Sequence, residues 1–269
     1  FAQEELDRAR QEALDGLQVS LSEPGPIAGF AMARAIYGDT PYGGVASERS
    51  LTAITRDGMS GFHHTYWRPD NAVLVITGDV SAEQGFAIAE RYFGEWARPA
   101  TAMPARPDAS AYAAPARTIV VDLPETGQAA VSLGLRGVAR SDPDYFPLLV
   151  ANNVLGGGYS ARLNMEIRIR RGLSYGAGSS LQARAAPGPI IASAQTRNDA
   201  AVQVYELMAA EVERIGDVVT PEAELTARKA VLIGNFGRTI ETTAGLAGQI
   251  STLALYGLPP ERLGTYVSD

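Results

Sequence analysis

The run Leu155-Gly-Gly-Gly-Tyr-Ser-Ala-Arg-Leu-Asn-Met-Glu-Ile-Arg-Ile-Arg-Arg-Gly-Leu-Ser-Tyr175 constrains this chain more than any other segment. Three consecutive glycines interrupt what precedes them, Ser160 can cap a following helix, and Gly172 suits that helix's end. The pattern therefore predicts a helix from Ser160 to about Arg170 and a strand beginning near Tyr175. Such a path can aim Arg168 and Tyr175 into one crevice as a pair of hydrogen-bond donors. The glycines could also be read as a phosphate loop, but the Gly-Lys-Ser/Thr ending is missing, which favours a tight turn between helices.

Elsewhere, hydrophobic periodicity predicts helices over about Gln3–Val19, Pro26–Tyr37 and Arg56–Tyr66. The β-branched run Ala72–Thr77 reads as a buried strand, and Ser81-Ala-Glu-Gln84 as a capping box that opens the next helix. Prolines 99, 104, 107 and 115 make residues 99–116 a linker. Beyond it, Thr118–Asp122 and Ala129–Leu135 read as strands, followed by a helix from Asp142-Pro143. Tyr175 to about Ala185 and Pro189–Thr196 read as a hairpin across Pro187-Gly188, Asp199 can cap a helix over Ala200–Ile215, and Thr220-Pro221 opens another. Hairpins mixed with long helices favour an α+β fold, in which mostly antiparallel sheets pack against helices in two layers.

Sliding the chain by 219 residues lays Glu5-Leu6 on Glu224-Leu225, Ala28-Gly29 on Ala247-Gly248 and Tyr37-Gly38 on Tyr256-Gly257. The clustering of matches around a Tyr-Gly-x-x-Pro helix end reads as duplication of a module about 220 residues long. Residues 1–98 are then the C-terminal part of a first module, and 117–269 a second module truncated at its end. With 269 residues, 46% of them hydrophobic, the chain can bury a large core. A net charge of -7 argues against a nucleic-acid surface, and no apolar run is long enough to span a bilayer. The absence of cysteine excludes disulfides and thiolate metal sites.

The Gly-Gly-Gly-x-Ser-x-Arg-Leu helix, followed by Arg168 and then Gly-Leu-Ser-Tyr175, resembles the second half of insulinase/pitrilysin (inverzincin) metallopeptidases and mitochondrial processing peptidases. The resemblance implies a duplicated metallopeptidase half-domain fold in which Arg168 and Tyr175 hold the substrate backbone, while zinc belongs to the other half. It also implies strand addition by an extended peptide, for which Ile119–Asp122 and the strand after Tyr175 are the two candidate edges. The only histidines, His63 and His64, are adjacent, so on a helix they diverge by about 100° and cannot chelate as residues four apart do. In zinc-bearing relatives the first helix carries a ligand Glu; here Gly16 falls at or beside that position, and a slip of one residue puts Asp15 there instead. The first module thus reads as zinc-less.

The expected function is that of a non-catalytic, substrate-binding part of a zinc peptidase, with no metal in this chain and none of its residues catalytic by themselves. Zinc would sit in a homologous partner subunit or upstream segment, the partners being that subunit and a peptide, with neither nucleic acid nor membrane. A periplasmic location is favoured over a cytoplasmic one. One alternative is a fragment of a single-chain peptidase whose His-x-x-Glu-His motif lies before Phe1. A further alternative is a structural subunit like the respiratory-complex core proteins.

Overall fold

The computed structural model describes residues 1–105 and 115–269. Helices α1 (Gln3–Leu21), α2 (Pro24–Tyr37), α3 (Glu48–Thr52), α4 (Arg56–Tyr66) and α5 (Ala82–Phe93) come first. Strand β1 (Gln128–Arg136) and α6 (Tyr145–Leu155) lead to a π-helical turn over Asn164–Ile169. Then follow β2 (Ala177–Leu181), β3 (Pro189–Arg197), α7 (Ala201–Asp217), α8 (Glu222–Ile240), α9 (Thr243–Leu255) and α10 (Arg262–Thr265). The fold is α+β, and no described helix is long and apolar enough to cross a membrane.

The 219-residue offset recurs in the helix boundaries. Helix α8 starts 219 positions after α1 (222 against 3) and ends 219 after it (240 against 21), and α9 starts 219 after α2 (243 against 24). At the matched Tyr-Gly ends, Gly38 and Gly257 both take positive φ, 55° and 67°. Glycine reaches that region without a Cβ penalty, so both helices stop at the same residue type.

Two compact units form, one from Phe1–Gln11, Arg49–Arg106 and Ile233–Asp269, the other from Glu12–Glu48 and Pro107–Leu232. Each draws on both sides of residues 99–116, whose interior, 106–114, lies outside the described residues. We keep the sequential boundary at 99–116 as a proposal about module ancestry.

In the second unit the sheet runs β1-β3-β2, both pairs antiparallel. Its inner face presents Val131 and Leu133, Ala192 and Ala194, and Ala177 to Leu155, Leu163, Ile167, Val204 and Met208. Alanines on the strands let α6, the π-turn and α7 approach closely, and each large apolar side chain buried there contributes about 1.5–3 kcal/mol. On the opposite face α2 is seated at Gly134, where an added Cβ would stand 2.2 Å from Met32 Sδ and 3.0 Å from Ile36 Cδ1.

In the first unit α4 is capped by the Thr55 hydroxyl, which accepts from Gly58 N–H. Helix α5 opens on the expected box, Ser81 Oγ accepting from Gln84 N–H and Gln84 Oε1 from Ser81 N–H. Arg68 is buried against Asp70.

Several local expectations are corrected. Ala72–Thr77 and Thr118–Asp122 are not strands, and Val73, Leu74, Ile119, Val120 and Val121 are exposed. Strand preference expresses fit to a neighbouring pleated surface, and no other described strand pairs with either segment. The helix expected from Asp142 starts at Tyr145, because Asp142 Oδ1 accepts from Asp144 N–H in a local turn. Asp199 does not cap α7; its carboxylate binds Arg197 and a 3₁₀ turn over Asn198–Ala200 leads in.

Candidate functional site

The segment after the three glycines departs from a regular helix. Met165 N–H bonds Ala161 C=O four residues back, but Arg170 N–H reaches back five, to Met165 C=O, and Leu173 N–H six, to Ile167 C=O. Turns widened in this way are rare and recur at functional sites. Here the widening keeps Leu163, Asn164 and Ile167 buried while Arg168 emerges half-buried. Gly172, at φ 62°, ends the segment, its N–H bonded to Arg168 C=O. Ser160, expected as the cap, instead receives Arg228, which donates to its hydroxyl and carbonyl.

The glycine run turns α6 against β2, since Gly156 C=O accepts from Ser179 N–H at 3.0 Å. Asn164, only 4% exposed, closes the same edge: its Oδ1 accepts from Ala177 N–H at 3.3 Å and its Nδ2 donates to Tyr159 C=O at 2.6 Å. The outer edge of β2 is thereby occupied at Ala177 and Ser179, so the strand after Tyr175 offers no open ladder there. Ile119–Asp122, the other expected edge, is not a strand. We expect Asn164→Leu to cost about 2 kcal/mol in urea unfolding, because the buried Ala177 N–H and the Tyr159 C=O lose their partner together.

Most arginines of the run 162–171 are paired with carboxylates. Arg162 grips Glu224 in bidentate fashion at 2.9 and 2.7 Å, and Arg170 and Arg171 share Glu166. Glu224 titrates below the ordinary carboxylate value, held there first by the hydrogen bonds from Arg162. Arg184 lies over the rings of Tyr37 and Tyr42. Arg168 has no carboxylate partner among the described residues and sits over the Tyr159 ring, 5.2 Å from its centroid.

Tyr175 occupies a bend two residues before β2 and is 90% exposed. It stands at the rim of a trough of about 470 Å³ between α2 and the outer sheet face. Arg168 does not line this trough, and no hydrogen bond joins it to Tyr175 among the described residues. What links their surroundings is Asn164, bound to Tyr159 on one side and to Ala177 on the other. Sequence reasoning missed Asn164, although a lone Asn among apolar and basic helix residues is a usable signal for a buried amide bridge.

His63 stacks on Trp67 and His64 Nδ1 lies 2.7 Å from Ser60 C=O. Among the described residues no group of three or more His, Cys, Asp or Glu could hold a metal ion.

Residues 53–232 match the family described as the peptidase M16 inactive domain. A zinc protease of Mycobacterium leprae, described as uncharacterized, is 28% identical over 238 residues, covering 87% of this chain and 53% of that protein. The crystal structure of a peptidase M16 inactive domain from Pseudomonas fluorescens is similar over 100% of this chain and 64% of that one, with TM-score 0.84 and 25% identity. A protease from Helicobacter pylori shares the fold, with TM-score 0.89 and 21% identity over 100% of this chain and 66% of that one. The chain spans about half the length of the curated relative from M. leprae. It belongs to the peptidase M16 inactive domain family.

Proposed function

We propose that this chain is the substrate-holding part of a zinc peptidase, with Arg168 and Tyr175 as the residues that bind the backbone of an extended peptide. The carrying observation is that, within the arginine-rich run 162–171, Arg168 alone has no carboxylate among the described residues, and it stands on a π-turn seven residues before an exposed phenol. A guanidinium and a phenol are donors suited to peptide carbonyls, and donors already in place stabilise negative charge that develops on such an oxygen. In this reading hydrolysis belongs to a zinc-bearing homologous subunit, a role supported by relatives described as zinc proteases. A second reading has support in the relatives' length: the zinc motif lies elsewhere in one longer chain, as in a zinc protease of which this chain covers 53%. The encoded sequence ahead of Phe1 separates the two.

The test is binding of a fluorescein-labelled extended peptide, followed by anisotropy. Arg168→Ala is expected to weaken it about tenfold and Tyr175→Phe about fivefold, the ordinary worth of a charged and a neutral hydrogen bond. Thermal stability should hold in both, since Tyr175 is exposed and Arg168 has no ion pair to lose among the described residues. Unchanged affinity in both variants rejects the assignment.

A further inference from the structure

We propose that the trough between α2 and the outer face of the sheet holds a stretch of uncharged, small residues of the bound peptide, next to Tyr175. This rests on the reading that the chain binds peptide, and adds which peptide chemistry it takes.

The trough is a wedge. Helix α2 is packed tightly at Met32 and Ile36 over Gly134, and the Gln195 carboxamide lies close at Gly25, where an added Cβ would stand 2.8 Å from its Nε2; between them, at Gly29 on the same helix face, the helix leaves open space beside Ser132 and Ser193. Gly29 on the helix and Ser132 and Ser193 on the sheet leave space where larger residues would interlock. Glycine is the poorest helix former after proline, yet a Cβ at Gly29 would meet nothing within 4 Å, so packing does not demand glycine there. The effect of the bare position is to keep the trough open.

Its chemistry selects the occupant. No charged side chain lines the trough, although the chain as a whole carries -7. A Lys, Arg, Asp or Glu of the peptide would enter without a counter-ion and lose hydration. Ser132, Ser193 and Gln195 form no side-chain hydrogen bonds among the described residues, and each can both donate and accept. Hydroxyls and a carboxamide of this kind match the alternating N–H and C=O groups of an extended backbone. Tyr175 stands at the mouth, so a peptide gripped there runs directly into the wedge.

The experiment compares labelled decapeptides built from Ala, Ser, Gly and Gln with versions carrying Lys or Glu at the two central positions. The parent chain should bind the uncharged peptide at least about tenfold more tightly. Gly29→Leu fills the wedge from a position with open space, and better helix propensity should hold or raise its melting temperature. Its affinity for the uncharged peptide should fall about tenfold or more. Parent-like binding by Gly29→Leu, with Arg168→Ala and Tyr175→Phe still weakened, overturns the trough and leaves the proposed function standing. Equal affinity for charged and uncharged peptides overturns the stated selectivity. A parent chain that binds none of the peptides overturns both.

Discussion

Gly156→Ala is expected to lower the stability of the chain by about 4 kcal/mol, whereas Gly158→Ala, two residues on, should change it little. A Cβ at position 156 would stand 2.2 Å from Ser179 N and 2.6 Å from Gly178 C. Both are backbone atoms of a paired strand and cannot turn aside as the end of a side chain can. Relief requires moving α6 away from β2, which breaks the Ser179 N–H to Gly156 C=O bond and leaves a strand amide without its partner. At Gly158 nothing lies within 4 Å. Gly157 is intermediate, facing Asn153 Cα and Nδ2 at 2.7 Å. Urea unfolding of the two alanine variants measures the contrast, and coincident midpoints would refute the close approach. Against a total of about 5–15 kcal/mol for a folded domain, a loss of this size also predicts little soluble Gly156→Ala protein.

The second large effect belongs to Arg162→Ala, for which we expect a loss of about 3 kcal/mol, since removing one member of a buried pair leaves the other charge without compensation. Arg162 is 8% exposed and joins the start of the π-turn to α8 through Glu224. The Glu224 side chain is 26% exposed, so water recovers part of the cost and the loss falls at the low end for such pairs. The pair also has an acid signature. Because Arg162 holds the folded-state value of Glu224 below the ordinary 4.5, the pair's contribution is present above pH 4.5 and is lost as pH falls through the lowered value. Asp70 and Asp199, lowered by hydrogen bonds from Arg68 and Arg197, keep an acid limb in any variant. Arg162→Ala should therefore melt lower near neutrality and approach the parent in strong acid; a constant gap across that range would show that lost packing, rather than charge, explains the cost.

Much of the fold could be read from residue order because its causes are local. The Ser81–Gln84 box, the turn signals at Pro187-Gly188 and the amphipathic spacing of Arg56–Tyr66 depend on near neighbours, and each forms as the sequence predicts. The 219-residue offset shared by the helix boundaries was equally legible, since it needs only comparison of the chain with itself. Misreadings occur where a distant group decides. Ala72–Thr77 has strand composition but no described strand beside it, and Ser160 has capping chemistry but is engaged by Arg228 from 68 residues away. The π-turn carries no compositional mark, because it follows from where Leu163, Asn164 and Ile167 must be buried. Of the candidate site, Arg168 and Tyr175 were visible as residues, while the amide bridge through Asn164 and the trough beneath α2 exist only once separated segments meet.

The interleaved make-up of the two compact units bears on how the molecule would respond to scission. A protease that cuts within residues 99–116 severs the chain once, yet each unit still holds pieces from both sides of the cut. Helix α2, on the first fragment, remains clamped over Gly134 on the second, while Thr77 on the first keeps its hydrogen bond to Thr243 on the second. The nicked product should migrate as one species under native conditions and part only on denaturation, so an intact gel-filtration peak says nothing about whether the backbone is continuous.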